Sequence, residues 1–284
     1  MNSFVKDFVR EKVCLYTCLP WAYSYAELIK YGAEQGFCGV EFLNHAEIAQ
    51  PDITAARELK KMAKERGLII PCFSVGLNLV GADRTENVAR VKKYAEICSD
   101  LEIPYLHHTV ALRFSTVADP EDRAKYFAEG VEITAEIAEH ANRLGVKTLL
   151  EDQGFVVNGV ENYGRFREET NNCFDVLLDV GNICFVDETA GAFAEAFSDN
   201  IVHTHVKEYH ITKTAPEGVT SYRTLGGNYL SNAIAGEGDI DYDRVKNVLK
   251  KIAYSGVYSM EYSFKNPEEQ DRTLGFLAKI FSEM

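Results

Sequence analysis

The run I-V-H-T-H-V-K-E, Ile201 to Glu208, alternates apolar or β-branched residues with His203, His205 and Lys207. As a strand it sends all three polar side chains to one face, because successive strand residues face opposite ways. A bland buried strand carries Val, Ile or Leu on that face. Two imidazoles and an ammonium fit better near the end of a barrel strand, where catalytic groups gather. Taken alone, the run fits a short edge strand with solvated histidines equally well. Its neighbours in the chain decide between the two.

Upstream and downstream, short apolar runs alternate with longer amphipathic segments. Strand signals fall at Lys12–Cys18, Gly39–Leu43, Leu68–Gly76, Pro104–Val110, Val146–Asp152, Phe174–Asn182, Ile201–Glu208 and Val257–Phe264. Ser24-Tyr25-Ala26-Glu27 reads as a capping box opening a helix that Gly36 stops. A second helix is expected from Thr54 to Gly67, and another carries the stripe Val88, Val91, Ala95 and Cys98. Asp119-Pro120 opens a long helix reaching Leu144, Asp241 caps one running to Ala253, and Asn266-Pro267 opens the last. Residues 209–235 are polar and rich in Thr, Gly, Ser and Asn, too long for an ordinary connection, and read as a functional loop or lid beside the active mouth. Eight strand–helix units predict a single (β/α)8 TIM barrel over residues 1–284. A doubly wound sheet is the weaker reading. Cys18-Leu19-Pro20-Trp21 stands where a Gly-rich turn would follow the first strand, and no GxGxxG or GxxxxGK[ST] occurs.

Composition bounds the function. The 284 residues suffice for a large core, with 46% hydrophobic and 26% charged residues. Thirty basic against 43 acidic residues leave a net charge of −13, which argues against a nucleic-acid partner. The seven cysteines are scattered without a CxxC pair, as expected of free thiols in a reducing cytoplasm. Met1 to Lys12 lacks a signal-peptide core, and no apolar run reaches membrane-spanning length, so a cytoplasmic protein without membrane contact is expected. Nothing in the composition speaks against a homodimer.

Chemistry concentrates at the C-terminal ends of the last four strands. Glu151 follows T-L-L, Asp179 follows V-L-L, His205 lies in H-T-H, and Glu261 follows Y-S-M. In a barrel those ends meet at one mouth. Any one of them reads as a carboxylate capping the next helix. Three carboxylates brought together repel one another unless a cation sits among them. With one imidazole they suit a hard to borderline divalent ion: Mn2+, Mg2+, Co2+ or Zn2+.

This set resembles that of the sugar isomerase/epimerase superfamily, which shares the xylose-isomerase-like TIM barrel. The resemblance extends to G-F-C-G-V-E-F, Gly36 to Phe42, and G-E-G-D-I-D-Y, Gly236 to Tyr242. It implies one divalent metal held by Glu151, Asp179, His205 and Glu261. It also implies an isomerase or epimerase acting on a small polyhydroxylated carbonyl compound through an enediolate. Glu151 and Glu261 would then serve as proton-transfer groups as well as ligands. Two positions depart from the pattern. Asn182 stands where many relatives have histidine, and Val156 and Val157 occupy the region where ketohexose 3-epimerases carry a glutamate. Both weigh against a tagatose- or psicose-type substrate.

The substrate-binding candidates are Lys207, His108, Glu208, Glu41 and Trp21. Lys207 shares a face with His205 and is placed to meet a substrate oxygen or an enediolate; a solvated lysine is the bland alternative. Of the adjacent His107 and His108 only one faces inward, and His108 is favoured as nearer the mouth. Glu41 orients a ligand or a hydroxyl, or makes a structural hydrogen bond. Glu208 reaches substrate or caps its loop. Trp21 and Tyr16 offer stacking surfaces, and His203 should lie one layer below His205. Arg113 and Arg223 are the only loop arginines that could meet a phosphate. An inosose-type dehydratase starts from the same enolate and is the nearest rival. AP-endonuclease-like hydrolysis, which in this superfamily uses three zinc ions, is disfavoured by Asn182 and the acidic charge. A non-catalytic binding barrel is disfavoured by the intact ligand set.

Overall fold

The computed structural model describes residues 1–16, 22–112, 120–262 and 264–282. In chain order its strands are β1 (Val13–Tyr16), β2 (Gly39–Val40), β3 (Phe42–Leu43), β4 (Cys72–Val75), β5 (Tyr105–His108), β6 (Lys147–Glu151), β7 (Asp175–Asp179), β8 (Ile201–Val206), β9 (Tyr209–Thr212), β10 (Tyr222–Arg223), β11 (Tyr229–Asn232) and β12 (Tyr258–Glu261). Its helices are α1 (Ser3–Lys12), α2 (Tyr25–Gln35), α3 (Ile53–Glu65), α4 (Arg84–Asp100), α5 (Pro120–Arg143), α6 (Val160–Glu169), α7 (Ala190–Phe197), α8 (Tyr242–Lys251) and α9 (Pro267–Phe281).

Nine of these strands form one parallel sheet in the order β2-β1-β12-β8-β7-β6-β5-β4-β3. β2 and β3 are halves of one barrel strand, interrupted only by Glu41. β2 pairs with β1, β3 pairs with β4, and the Val40 N–H bonds Ile69 O at 3.0 Å across the seam. The sheet therefore rolls into a nearly closed eight-position barrel with helices around it, the TIM-barrel architecture expected.

Period-2 alternation divides the burial. Leu106, Leu150, Val176, Leu178, Val206 and Met260 point outward into the main core shared with the helices. Each such fully buried aliphatic contributes about 1.5–3 kcal/mol. Cys72, Leu149 and Leu177 point inward and form a separate small apolar cluster on the barrel axis.

The expected caps hold. Ser24 and Glu27 form a full capping box, and Gly36 ends α2 in the left-handed region at φ 80°. Asp241 Oδ1 accepts from Arg244 N at 3.2 Å, and Asn266 Oδ1 from Glu269 N at 3.0 Å. Asp119 lies outside the described residues.

Two features differ from expectation. Helices α1, α6 and α7 are additional; they run only 8 to 10 residues, so their periodicity covers little more than two turns. Residues 209–235 are not a plain loop. They carry a three-stranded antiparallel sheet in the order β10-β11-β9. Asp187 pins it to the segment after β7, accepting from Thr224 Oγ1 at 2.7 Å, Gly226 N at 2.6 Å and Asn228 Nδ2 at 2.6 Å. No helix among the described residues is long and apolar enough to cross a membrane.

Candidate functional site

The last inward residues of four consecutive barrel strands meet above the apolar cluster. His205 Nδ1 lies 3.5 Å from Glu151 Oε2, 3.9 Å from Asp179 Oδ2 and 3.4 Å from Glu261 Oε2. One ligand atom from each of the four falls within 4.8 Å of all the others. Ligands held about 2.1 Å from a common ion stand about 3 to 4 Å apart, so the spacing suits a single cation.

The polar accounting points the same way. Asp179 Oδ1 is satisfied by the Gly181 and Asn182 N–H groups, each at 2.8 Å. Glu151 Oε2 and His205 Nδ1 are buried and lack a hydrogen-bond partner, and the buried Asp179 Oδ2 has only the Lys207 ammonium, 2.9 Å away, beside it. Buried polar atoms are seldom left unpaired, and two aimed at one point between carboxylates are what a metal would satisfy. Burial, reinforced by Glu261 and Glu151, lifts the Asp179 carboxyl to about 7 against the pull of Lys207. Burial also raises Asp152, next to Asp179 and Glu151, and neither of its oxygens has a partner.

Lys207 borders the same cluster. Its Nζ stands 2.9 Å from Asp179 Oδ2, 2.9 Å from Glu261 Oε2 and 3.1 Å from Asn182 Oδ1. Burial would lower its pKa, but the two carboxylates hold it well above the usual lysine value. Glu261 is pushed up by burial, yet Lys207 and His205 outweigh that and hold it far below the carboxylate range. Gly181 makes the lysine's path possible, since a side chain there would run into the Lys207 stem. A cavity of about 560 Å3 opens on Lys207 and Glu261, walled by Tyr209, Tyr222, Tyr262 and Phe264. The small antiparallel sheet thus forms one side of the mouth.

Beneath the ligands, Glu41 is fully buried, and its carboxylate faces His203 Nε2 at 2.7 Å and His205 Nε2 at 3.0 Å. These three could also gather around an ion, but their closest atoms already bond one another, which makes them a support for His205.

Two of the expected substrate contacts take their structural alternative, and one is corrected. Glu41 lies under His205 with no exposed surface and makes the structural hydrogen bonds that were its alternative role. Glu208 turns its carboxylate into the loop before α8, accepting from Tyr209 N at 3.1 Å, Gly236 N at 3.1 Å and Ile240 N at 3.0 Å. Gly238 packs so closely that an added Cβ would lie 2.5 Å from Glu208 Oε1, which gives the G-E-G-D-I-D-Y run its local reason. His107, not His108, faces inward: its Nδ1 meets Ser74 Oγ at 2.9 Å and its Nε2 lies 3.7 Å from Glu151 Oε1. The register pairs His107 with Ser74 and Leu149, which fixes the phase of β5. His108 is buried on the other side, its Nδ1 3.2 Å from Thr109 O, and burial pushes it down to about 4.

His203 sits one layer down as expected, and Tyr16 stacks on His205 with ring centroids 4.4 Å apart. Trp21 and Arg113 lie outside the described residues. Arg223 is exposed on β10, and no arginine lines the mouth cavity among the described residues. Ser74, one of the residues that order this layer, was visible in C-F-S-V, where alternation sets Cys72 and Ser74 on the inner face.

The sequence model of the xylose isomerase-like TIM barrel family matches residues 29–280. No curated protein sequence matches the chain. Among solved structures, D-psicose 3-epimerase from Clostridium cellulolyticum H10 superposes with a TM-score of 0.73 at 16% identity, covering 95% of this chain and 99% of that one. The 3-keto-D-glucoside 4-epimerase of E. coli gives 0.69 at 15% identity, over 95% and 99% of the two chains. A xylose isomerase-like TIM barrel protein from Mycobacterium smegmatis, in complex with magnesium, gives 0.70 at 13% identity over 91% and 88%.

Proposed function

Because this chain belongs to the xylose isomerase-like TIM barrel family, we propose that it is a divalent-metal-dependent isomerase or epimerase of a small polyhydroxylated carbonyl compound, acting by proton transfer through an enediolate. The observation that carries this reading is the convergence of Glu151, Asp179, His205 and Glu261, one ligand atom from each within 4.8 Å of the others, with Glu151 Oε2 and His205 Nδ1 buried and without a hydrogen-bond partner. Glu151, Asp179, His205 and Glu261 would hold the ion. When bound, such an ion supplies Lewis-acid charge beside the carbonyl and its neighbouring hydroxyl, which eases loss of the adjacent proton.

The chain's own residues then divide the work. Glu151 and Glu261 come from β6 and β12, on either side of β7 and β8, and so flank a substrate lying between them. One takes the proton from the carbon next to the carbonyl, and the other, or the same one, returns it. Lys207 at the cavity floor donates a charge-assisted hydrogen bond to the oxygen that gains charge. Asp179 is oriented by the Gly181 and Asn182 N–H groups and keeps a holding role. Val156 and Val157 are both buried and bring no carboxylate to the mouth at those two positions, and a psicose-type substrate is not assigned.

Epimerase relatives of the same fold support this class of chemistry. A dehydratase would share the first proton removal, and product analysis separates the two. The test is a panel of ketoses and inososes incubated with the Mn2+-loaded protein in heavy water. Deuterium is expected at the carbon beside the carbonyl of the product. Product that forms without deuterium, in enzyme whose Glu151→Gln and Glu261→Gln variants keep near-native turnover, would overturn the scheme.

A further inference from the structure

Under the four candidate ligands lies a buried polar layer that converges on one carboxylate. Glu41 occupies the break between β2 and β3, where its N–H bonds Leu15 O at 2.7 Å and its side chain enters the barrel axis. Oε2 meets His203 Nε2 at 2.7 Å, Oε1 meets His205 Nε2 at 3.0 Å, and Ser74 Oγ donates to Oε1 at 2.6 Å. An ionised carboxylate only accepts, so each partner must donate, and both histidines carry a proton on Nε2.

The consequence for His205 is geometric. With Nε2 engaged below, the nitrogen turned to Glu151, Asp179 and Glu261 is Nδ1, which is buried without a hydrogen-bond partner. A neutral imidazole offers a lone pair at one nitrogen only while the other keeps its proton. The ring is also confined on two sides: Tyr16 stacks on it at 4.4 Å, and His107 meets it nearly edge-on at 5.8 Å. Flipping the ring would break the bond to Glu41 and put carbon atoms where both nitrogens now point.

Resting on the metal reading above, we propose that Glu41 is the positioning residue that selects Nδ1 of His205 as the metal-facing nitrogen. His203 and Ser74 hold the carboxylate in the plane this requires. His203 is itself braced by Ser259 Oγ, 3.2 Å from its Nε2. Two inward histidines on one strand thus have different tasks: His205 presents a ligand atom, and His203 fixes the group that aims it. The same hub reaches His107 through Ser74, whose Oγ lies 2.9 Å from His107 Nδ1.

Glu41→Gln is the diagnostic change, because it keeps the shape but leaves one acceptor oxygen where three donors converge. Mn2+ affinity of metal-stripped wild type and variant is read by calorimetry, with thermal unfolding to show that the variant is folded. The variant is expected to bind Mn2+ about 10- to 100-fold more weakly. In parallel, 15N-histidine NMR of the Zn2+-loaded wild type reads the ring directly. His205 should show a protonated Nε2 and a metal-shifted Nδ1. The proposal is overturned if folded Glu41→Gln binds Mn2+ as tightly as wild type, or if His205 Nε2 carries no proton in the Zn2+-loaded protein. If the variant does not fold, the wild-type spectrum alone decides. A wild-type protein that takes up neither Mn2+ nor Zn2+ overturns the metal reading itself, before any variant is compared.

Discussion

The lower and upper halves of the barrel interior are built on the same strands from opposite chemistry. Low on the axis, Cys72, Leu149 and Leu177 close on one another as a fully buried apolar plug. Two residues further along those strands stand Ser74, Glu151 and Asp179, and the interior becomes a cluster of carboxylates and imidazoles. The step is about 7 Å of strand. Folding energy comes from the plug and from the outward-facing layer under the helices. The mouth holds charge that burial makes costly, as the raised Asp179 carboxyl shows. Stability and chemistry are therefore separable by one period of each strand.

That separation can be broken deliberately. The largest effect is expected at the mouth: Glu151→Gln or Glu261→Gln should lower turnover by about 10²- to 10⁴-fold, the range of a lost general acid or base. The melting temperature should barely move, and some metal should stay bound through the remaining ligands. A variant that loses activity only by unfolding would erase the distinction between the two halves. Leu177→Ala is the converse change. It should cost about 2–5 kcal/mol of unfolding free energy, measured by urea titration, with metal stoichiometry unchanged.

The smallest effect separates the two adjacent histidines of β5. His107 belongs to the mouth, whereas His108 is buried in the outer layer with its pKa lowered from 6.5 to about 4 by burial. Across that window the unfolded chain binds a proton that the folded chain refuses. Stability therefore falls as pH drops from 6.5 to about 4, by about 3 kcal/mol at most. His108→Gln should flatten this part of the stability–pH curve relative to wild type. An unchanged slope would mean that His108 does not supply it.

Much of this was legible in the chain. Strand alternation placed Glu151, Asp179, His205 and Glu261 together because each follows an apolar run and ends a strand, and a parallel barrel brings such ends to one rim. The caps at Ser24, Asp241 and Asn266 were readable because each bonds its own next turn. The orientation of Tyr-Leu-His-His was not. Two adjacent histidines fit either phase, and only the register with Ser74 and Leu149 selects His107. Glu208 could not be assigned between substrate contact and loop capping because its partners, Gly236 and Ile240, lie 28 and 32 residues away and return only through the fold. The sheet of β9, β10 and β11 was hidden in polar sequence because its pairing, such as Asn232 with Tyr209, is non-local.

The measurement that bears most directly on the divided barrel is a Mn2+ titration of metal-stripped wild type, Asp179→Asn and Leu177→Ala, followed by calorimetry. Expected is one ion per chain in wild type and in Leu177→Ala, with Asp179→Asn weakened about 10-fold or more. No uptake by the wild type, or an Asp179→Asn protein that binds Mn2+ as wild type does, would contradict a metal centre at the mouth.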